Sequence, residues 1–199
     1  MIDRLVWIDL EMTGLDPERD VVLEIAALVT DSELRPVGEG VDIVISQPAS
    51  ALEGMADVVR DMHARSGLTP AVLESTVSLR TAEEAVLALV KSEVPEARTV
   101  PLCGNSIATD RTFLVRHMPE LEAYLHYRMI DVSSIKELAR RWYPKAYHHA
   151  PQKGGSHRAL ADIQESVEEL RYYRSAIFVS PDAAAGAQGV SDEAGSPVD

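Results

Sequence analysis

Three short apolar runs open the chain, Arg4–Leu10, Val21–Thr30 and Val37–Ser46. Turn-forming Gly14-Leu15-Asp16-Pro17 separates the first pair, and Asp31–Pro36 the second. Runs of this length with short connections predict an antiparallel three-stranded meander. The apolar period then lengthens to that of helices from about Ala51 to Lys91, with breaks near Ser66-Gly67 and Ser78. Arg98–Gly104 reads as a short buried strand, Thr109–His117 as a helix stopped by Pro119, and Glu120–Leu125 as a further helical turn. Tyr127–Asp131 reads as a strand, followed by a helix through Ile135, Leu138 and Trp142. Pro144–Ser156, with His148-His149 and Gly154-Gly155, reads as a mobile loop. Leu160, Ile163, Val167 and Leu170 mark a last helix from about Arg158 to Ile177. A meander followed by alternating helices and strands predicts an α/β fold, a mixed five-stranded sheet flanked by helices, as a single domain over residues 1–180. Residues 181–199 are small, polar and acidic, and are expected to form a disordered acidic tail.

Composition narrows this picture. The chain has 199 residues and a net charge of −13, from 19 basic and 32 acidic side chains. A protein that grips long nucleic acid through many phosphates usually carries a basic stripe. The densest basic spots here are Arg140-Arg141 and the surroundings of Lys153 and Arg158. Any nucleic-acid substrate is therefore expected to be short. The single cysteine, Cys103, rules out an internal disulfide and fits a reducing compartment. The N-terminus lacks a basic segment followed by an apolar one, and no apolar run approaches the roughly 18 residues of a membrane span. The expectation is a soluble, cytoplasmic protein with no membrane partner.

The chemistry concentrates in Trp7-Ile8-Asp9-Leu10-Glu11-Met12-Thr13-Gly14-Leu15. Strand side chains alternate between faces, so Asp9 and Glu11 project from one side and Ile8 and Leu10 from the other. Two like charges side by side repel, and a divalent cation with oxygen ligands would offset that repulsion. An isolated Asp-x-Glu is more often a solvated strand face; the rest of the chain changes the balance. Asp110 stands early in a helix after Gly104-Asn105-Ser106, where a helix N-terminus alone would favour an acid. His157 lies at the mouth of the glycine-containing loop, five residues before Asp162 in the last helix.

Taken in order, Asp9-x-Glu11, Asp110 and His157-x4-Asp162 resemble the DEDD 3′-to-5′ exonucleases, His variant, which have the ribonuclease-H-like fold. Within that group the flanking segments Trp7–Arg19, Cys103–Ser106, Met118–Tyr127, Asp131–Ser133 and Lys136–Trp142 are similar to the oligoribonuclease family. The resemblance covers essentially residues 3–177. It implies that Asp9, Glu11, Asp110 and Asp162 hold two divalent metal ions, Mg²⁺ or Mn²⁺, with Asp9 bridging them, and that His157 is the general base. Two ions about 4 Å apart can activate a water and stabilise the departing 3′ oxygen. An imidazole suits the base role because it titrates near neutral pH.

The resemblance also implies substrate contacts. Leu15 would wedge against terminal bases, His63 would approach the substrate, and Ser106, Arg128 and Ser133 would cap the 5′ phosphate of a very short RNA. Tyr127 would reach across from a partner subunit, which implies a homodimer. Val58 departs from the pattern, since relatives often carry a tryptophan there; stacking on that wall is then weaker or supplied elsewhere. The implied activity is hydrolysis of short single-stranded RNA, di- to pentanucleotides, to 5′-mononucleotides, the final step of RNA degradation. A proofreading or tRNA-trimming exonuclease with the same five residues would be expected to carry basic patches. A non-catalytic binding module would be expected to lack one of the five. His148, His149 and His157 match no structural zinc spacing.

Overall fold

A computed structural model describes residues 3–152, 154–155 and 157–179. The tail expected at 181–199 lies outside them. The central strand β1 (Arg4–Met12) pairs antiparallel with β2 (Val22–Asp31), which pairs antiparallel with β3 (Val41–Val44). On its other edge β1 pairs parallel with β4 (Leu102–Gly104), and β4 pairs parallel with β5 (Met129–Asp131). The order is β3-β2-β1-β4-β5, the mixed sheet expected from the strand pattern. The helices are α1 (Ala49–Glu53), α2 (Asp57–Arg65), α3 (Leu68–Glu74), α4 (Leu79–Glu93), α5 (Ile107–His117), α6 (Pro119–Tyr124), α7 (Val132–Trp142), α8 (Pro144–His149) and α9 (Ala159–Ile177).

Alternation along β1 divides the core. Val6, Ile8 and Leu10, with Ile25, Ala27 and Val29 of β2, pack against Val86 and Val90 of α4 and Phe113 and Leu114 of α5. On the other face Trp7, Ala26 and Leu28 pack against Val132 of α7 and Ile163, Val167 and Leu170 of α9. Each buried side chain of this kind contributes about 1.5–3 kcal/mol relative to exposure. The Trp7 indole N–H donates to Thr30 Oγ1 at 3.0 Å, so the ring's one polar atom is satisfied inside the core. Trp7, Asp9 and Glu11 share this second face. It is apolar at the start of β1 and acidic at its end.

Several elements differ from expectation, among them β4 and β5, which begin only at Leu102 and Met129. The third strand is four residues long because Pro36 offers no N–H and makes only an isolated bridge to Thr30, and Gly38 turns the chain at φ +71°. The helical region over 51–91 breaks once more, between Gly54 and Ala56. Within the segment expected to be a mobile loop, Pro144–His149 is helical; Pro144 occupies the first turn, where its fixed φ suits a helix and its missing N–H costs nothing.

Candidate active site

The site forms where β1 outruns its parallel neighbour. β1 pairs with β4 only at Val6–Leu102 and Trp7–Cys103, yet continues to Met12. That leaves the end of β1 without a ladder partner on this edge. Asp110, in the first turn of α5, fills this edge: its Oδ1 accepts from Leu10 N–H at 3.0 Å. Gly104 permits the approach, since a Cβ there would lie 2.8 Å from Ile107 Cδ1 and 3.1 Å from the Ile8 carbonyl oxygen. The β1–β2 register shifts between Glu11 and Met12, a bulge that re-aims the end of the strand. Asp110 is thereby tied to the backbone between the two acids of β1.

From the opposite layer, α9 brings the remaining groups. Ligand atoms of Glu11, His157 and Asp162 lie within 4.8 Å of one another, although Glu11 and Asp162 are separated by most of the chain. His157 is exposed and has a left-handed backbone, φ +49°, which bends the chain into α9. Two carboxylates and an imidazole form a donor set that fits a divalent cation. Asp9 stands on the same face of β1, its Cα opposite Ala26.

Burial and crowding shape the charges here. Glu11 is buried, and its carboxyl is pushed up to about 8 by loss of solvent, with the charges of Asp162, Glu24 and Asp110 adding to the effect. Asp110, also buried, is pushed up to about 7 by loss of solvent, against the pull of backbone hydrogen bonds. Both groups hold a proton more tightly folded than unfolded. Their contribution to stability is therefore present at low pH and lost as pH rises from about 4 to about 8. Glu137, held near 2 by Arg140 and Arg141, works in the opposite sense, but its window closes below about pH 5. In chelator the melting temperature is expected to fall by several degrees between about pH 5 and pH 8. Divalent cations should restore it, more at the higher pH, because they compete with those protons. A scan of melting temperature against pH, with and without Mn²⁺, checks this; a flat metal-free profile would mean the carboxyls ionise freely.

His63, expected at the substrate, is wholly buried on α2. Its Nε2–H donates to the Met12 carbonyl at 2.8 Å, and its Nδ1 lies 3.8 Å from Glu11 Oε2. In this arrangement it backs Glu11 and fixes the end of β1. Ser106 and Ser133 do come together, with their Oγ atoms 3.1 Å apart. Ser106 N–H is shared between Asp131 Oδ1 and Ser133 Oγ, which suits its left-handed φ of +52°. Ser133 Oγ–H also reaches Asn105 Oδ1, and Asn105 Nδ2–H donates to Ser166 Oγ at 2.7 Å. Ser166 in turn donates to the Asp162 carbonyl. A continuous polar chain thus joins the serine pair to the helix bearing Asp162. Tyr127 and Arg128 lie elsewhere. They precede β5, whereas Asp131 is its last residue and Ser133 follows it, roughly 10 Å of strand away. The Arg128 guanidinium sits over the Tyr127 ring, which is 72% exposed. Leu15, 76% exposed, projects from a turn organised by Asp20, whose carboxylate accepts from Thr13 Oγ1 and Asp16 N–H. Val58 is also exposed, at 72%.

Two residues at the site were not anticipated. Glu24, directly across from Glu11 on β2, is fully buried and ion-paired with Arg158. The available signal was an acid in the middle of the apolar run Val21–Thr30.

The family model for RNase T-type exonucleases matches residues 6–170. An oligoribonuclease of Streptomyces coelicolor is 63% identical over 179 residues, covering 90% of this chain and 89% of its own length. One from Rhodococcus jostii is also 63% identical, over 90% of both chains. Among solved structures, the zinc-bound complex of E. coli exonuclease I with single-stranded DNA superposes with a TM-score of 0.67 at 15% identity, over 89% of this chain and 41% of that one. Exonuclease I of Methylocaldum szegediense gives 0.63 at 20% identity, over 86% of this chain and 40% of its own length. This chain thus spans about two fifths of those structures, which share its ribonuclease-H-like fold.

Proposed function

The chain belongs to the oligoribonuclease family of RNase T-type exonucleases, and we propose that it removes nucleotides from the 3′ end of very short RNA, down to dinucleotides, releasing 5′-mononucleotides. The observation that carries the site assignment is the convergence of Glu11, His157 and Asp162 within 4.8 Å at the end of β1. Asp9, Glu11, Asp110 and Asp162 would hold two divalent ions, Mg²⁺ or Mn²⁺. When bound, such ions supply charge stabilisation at phosphorus and a more acidic water. His157, exposed at the rim, takes the proton from the attacking water as the bond between phosphorus and the 3′ oxygen breaks. The excess of acidic residues keeps long RNA away from the surface and leaves a few specific groups to hold a short one.

The serine pair supports a 5′ phosphate cap, with two hydroxyls in one place at the C-terminal ends of β4 and β5. Tyr127 and Arg128, exposed and at the other end of β5, are suited to act from one copy of the chain upon the site of another. An arginine fork can grip phosphate through two nitrogens. The proposal therefore includes a homodimer in which each subunit completes the other's cap. One domain over residues 1–180 and a cytoplasmic location are part of the same reading.

The test is hydrolysis of 5′-labelled RNA of two to twenty nucleotides, with Mg²⁺, with Mn²⁺ and with chelator. Metal-dependent cleavage fastest on the dinucleotide is expected. Steady shortening of the long RNA with dinucleotides left over would retain the catalytic groups and remove the cap.

A further inference from the structure

An ion pair beside the catalytic groups, Glu24 wholly buried and Arg158 partly exposed, has no part in the chemistry above. Glu24 has no exposed surface, although its neighbours on β2 from Val22 to Val29 are otherwise apolar or small and equally buried. Its Oε1 accepts from Arg158 Nε at 2.8 Å and lies 2.6 Å from Nη2, a two-nitrogen grip. Its Oε2 accepts from Ala159 N–H at 3.1 Å. That N–H is the first of α9, and no side chain of the helix's own N-cap residue satisfies it. Glu24 therefore acts as the missing cap from another strand, with its charge at the favourable end of a 19-residue helix. Asp42 of β3 stands 3.9 Å from Arg158 and shares a side-chain hydrogen bond with Glu24.

Burying the Glu24 carboxylate is a poor device for stability, since its desolvation offsets much of the attraction to an arginine that is itself 35% exposed, and a valine or isoleucine would serve β2 better. Its location explains what it does. Arg158 immediately follows His157, whose left-handed backbone costs about 1 kcal/mol or more unless neighbouring contacts hold it. Asp162 lies one turn further on, its N–H bonded to the Arg158 carbonyl at 3.0 Å. Fixing Arg158 and Ala159 to β2 thus sets both groups against β1, where Glu24 is the cross-strand neighbour of Glu11.

We propose that Glu24 and Arg158 are positioning residues which clamp the start of α9 to β2 and so hold His157 and Asp162 in register with Glu11. The proposal rests on the exonuclease reading for its consequence in turnover, and on the fold alone for its consequence in metal affinity. The experiment combines Arg158→Gln and, separately, Glu24→Gln with His157→Ala in the full chain. It measures dinucleotide turnover and, by calorimetry, affinity for Mn²⁺ alone. Each clamp variant is expected to lower kcat at least tenfold with KM within about twofold, and to weaken Mn²⁺ binding about 10- to 100-fold, as loss of an outer partner does at other metal sites. Adding His157→Ala should then cost much less than it does in the otherwise native chain, because both changes remove the same placement. The two clamp variants should agree, so either one that folds decides the matter. Unchanged Mn²⁺ affinity with the full His157→Ala loss in a folded clamp variant would reduce the pair to packing. If the native chain fails to cleave the dinucleotide, the functional reading falls, and Mn²⁺ affinity still judges the clamp.

Discussion

Asp162→Asn is expected to abolish hydrolysis of short RNA while leaving the fold in place. The carboxylate enters the site from α9, in the first turn of a helix whose position is fixed by packing of Ile163, Val167 and Leu170. Asparagine keeps the size and is accepted near a helix start, so neither the core nor the helix is disturbed. It cannot supply an anionic oxygen. Cation stabilisation of a phosphoryl centre is worth several kcal/mol, and each 1.4 kcal/mol is tenfold in rate, so turnover should fall by about a thousandfold or more. A second readout separates this from damage to the fold. The charge of Asp162 is among the causes that raise the Glu11 carboxyl. Removing it should ease the crowding, so the metal-free melting temperature is expected to hold or rise while the gain on adding Mn²⁺ shrinks. Turnover within tenfold of the native chain would remove Asp162 from the metal site.

The parts of this site that were legible along the chain share one property: a local pattern exposes them. Asp9 and Glu11 interrupt an apolar strand at the spacing of one face, which needs no tertiary knowledge to notice. The helices α7 and α9 follow from apolar spacing alone, and both end within a residue or two of expectation. Asp110, His157 and Asp162 are individually ordinary and gained meaning from their order and flanking residues. What stayed hidden is pairing at long range. Glu24 lies 134 residues from Arg158, and neither residue type announces the other. The Asn105–Ser166 link spans 61 residues and looks, in sequence, like two unrelated polar positions. His63 illustrates a further limit: a histidine in a helix carries no mark of whether its ring faces solvent or, as here, lies buried behind Glu11. Local rules also failed at β3, where Pro36 and Gly38 cut the ladder short, and at α8, where a proline that suggested a loop starts a helix.

His157→Ala is expected to slow turnover by about 10²–10⁴-fold, the usual cost of a lost general base, with Mn²⁺ affinity largely retained through the carboxylates. Alanine alone would leave the result ambiguous, because His157 has φ +49° and a small side chain without local hydrogen bonding is uncomfortable there. A loss could then come from a displaced backbone instead of a missing imidazole. Asparagine resolves this, since it tolerates the left-handed region better than most residues yet cannot accept a proton at neutral pH. If His157→Asn is as slow as His157→Ala, and imidazole added to the alanine variant recovers part of the rate, the ring itself performs the step. The exposed position of His157 leaves room for such an added base to enter. Near-native turnover in the asparagine variant would instead assign the loss to the backbone, and with it remove the proton-transfer role. Because the same backbone turn is what the Glu24–Arg158 clamp secures, the asparagine and clamp variants together separate where the imidazole sits from what it does.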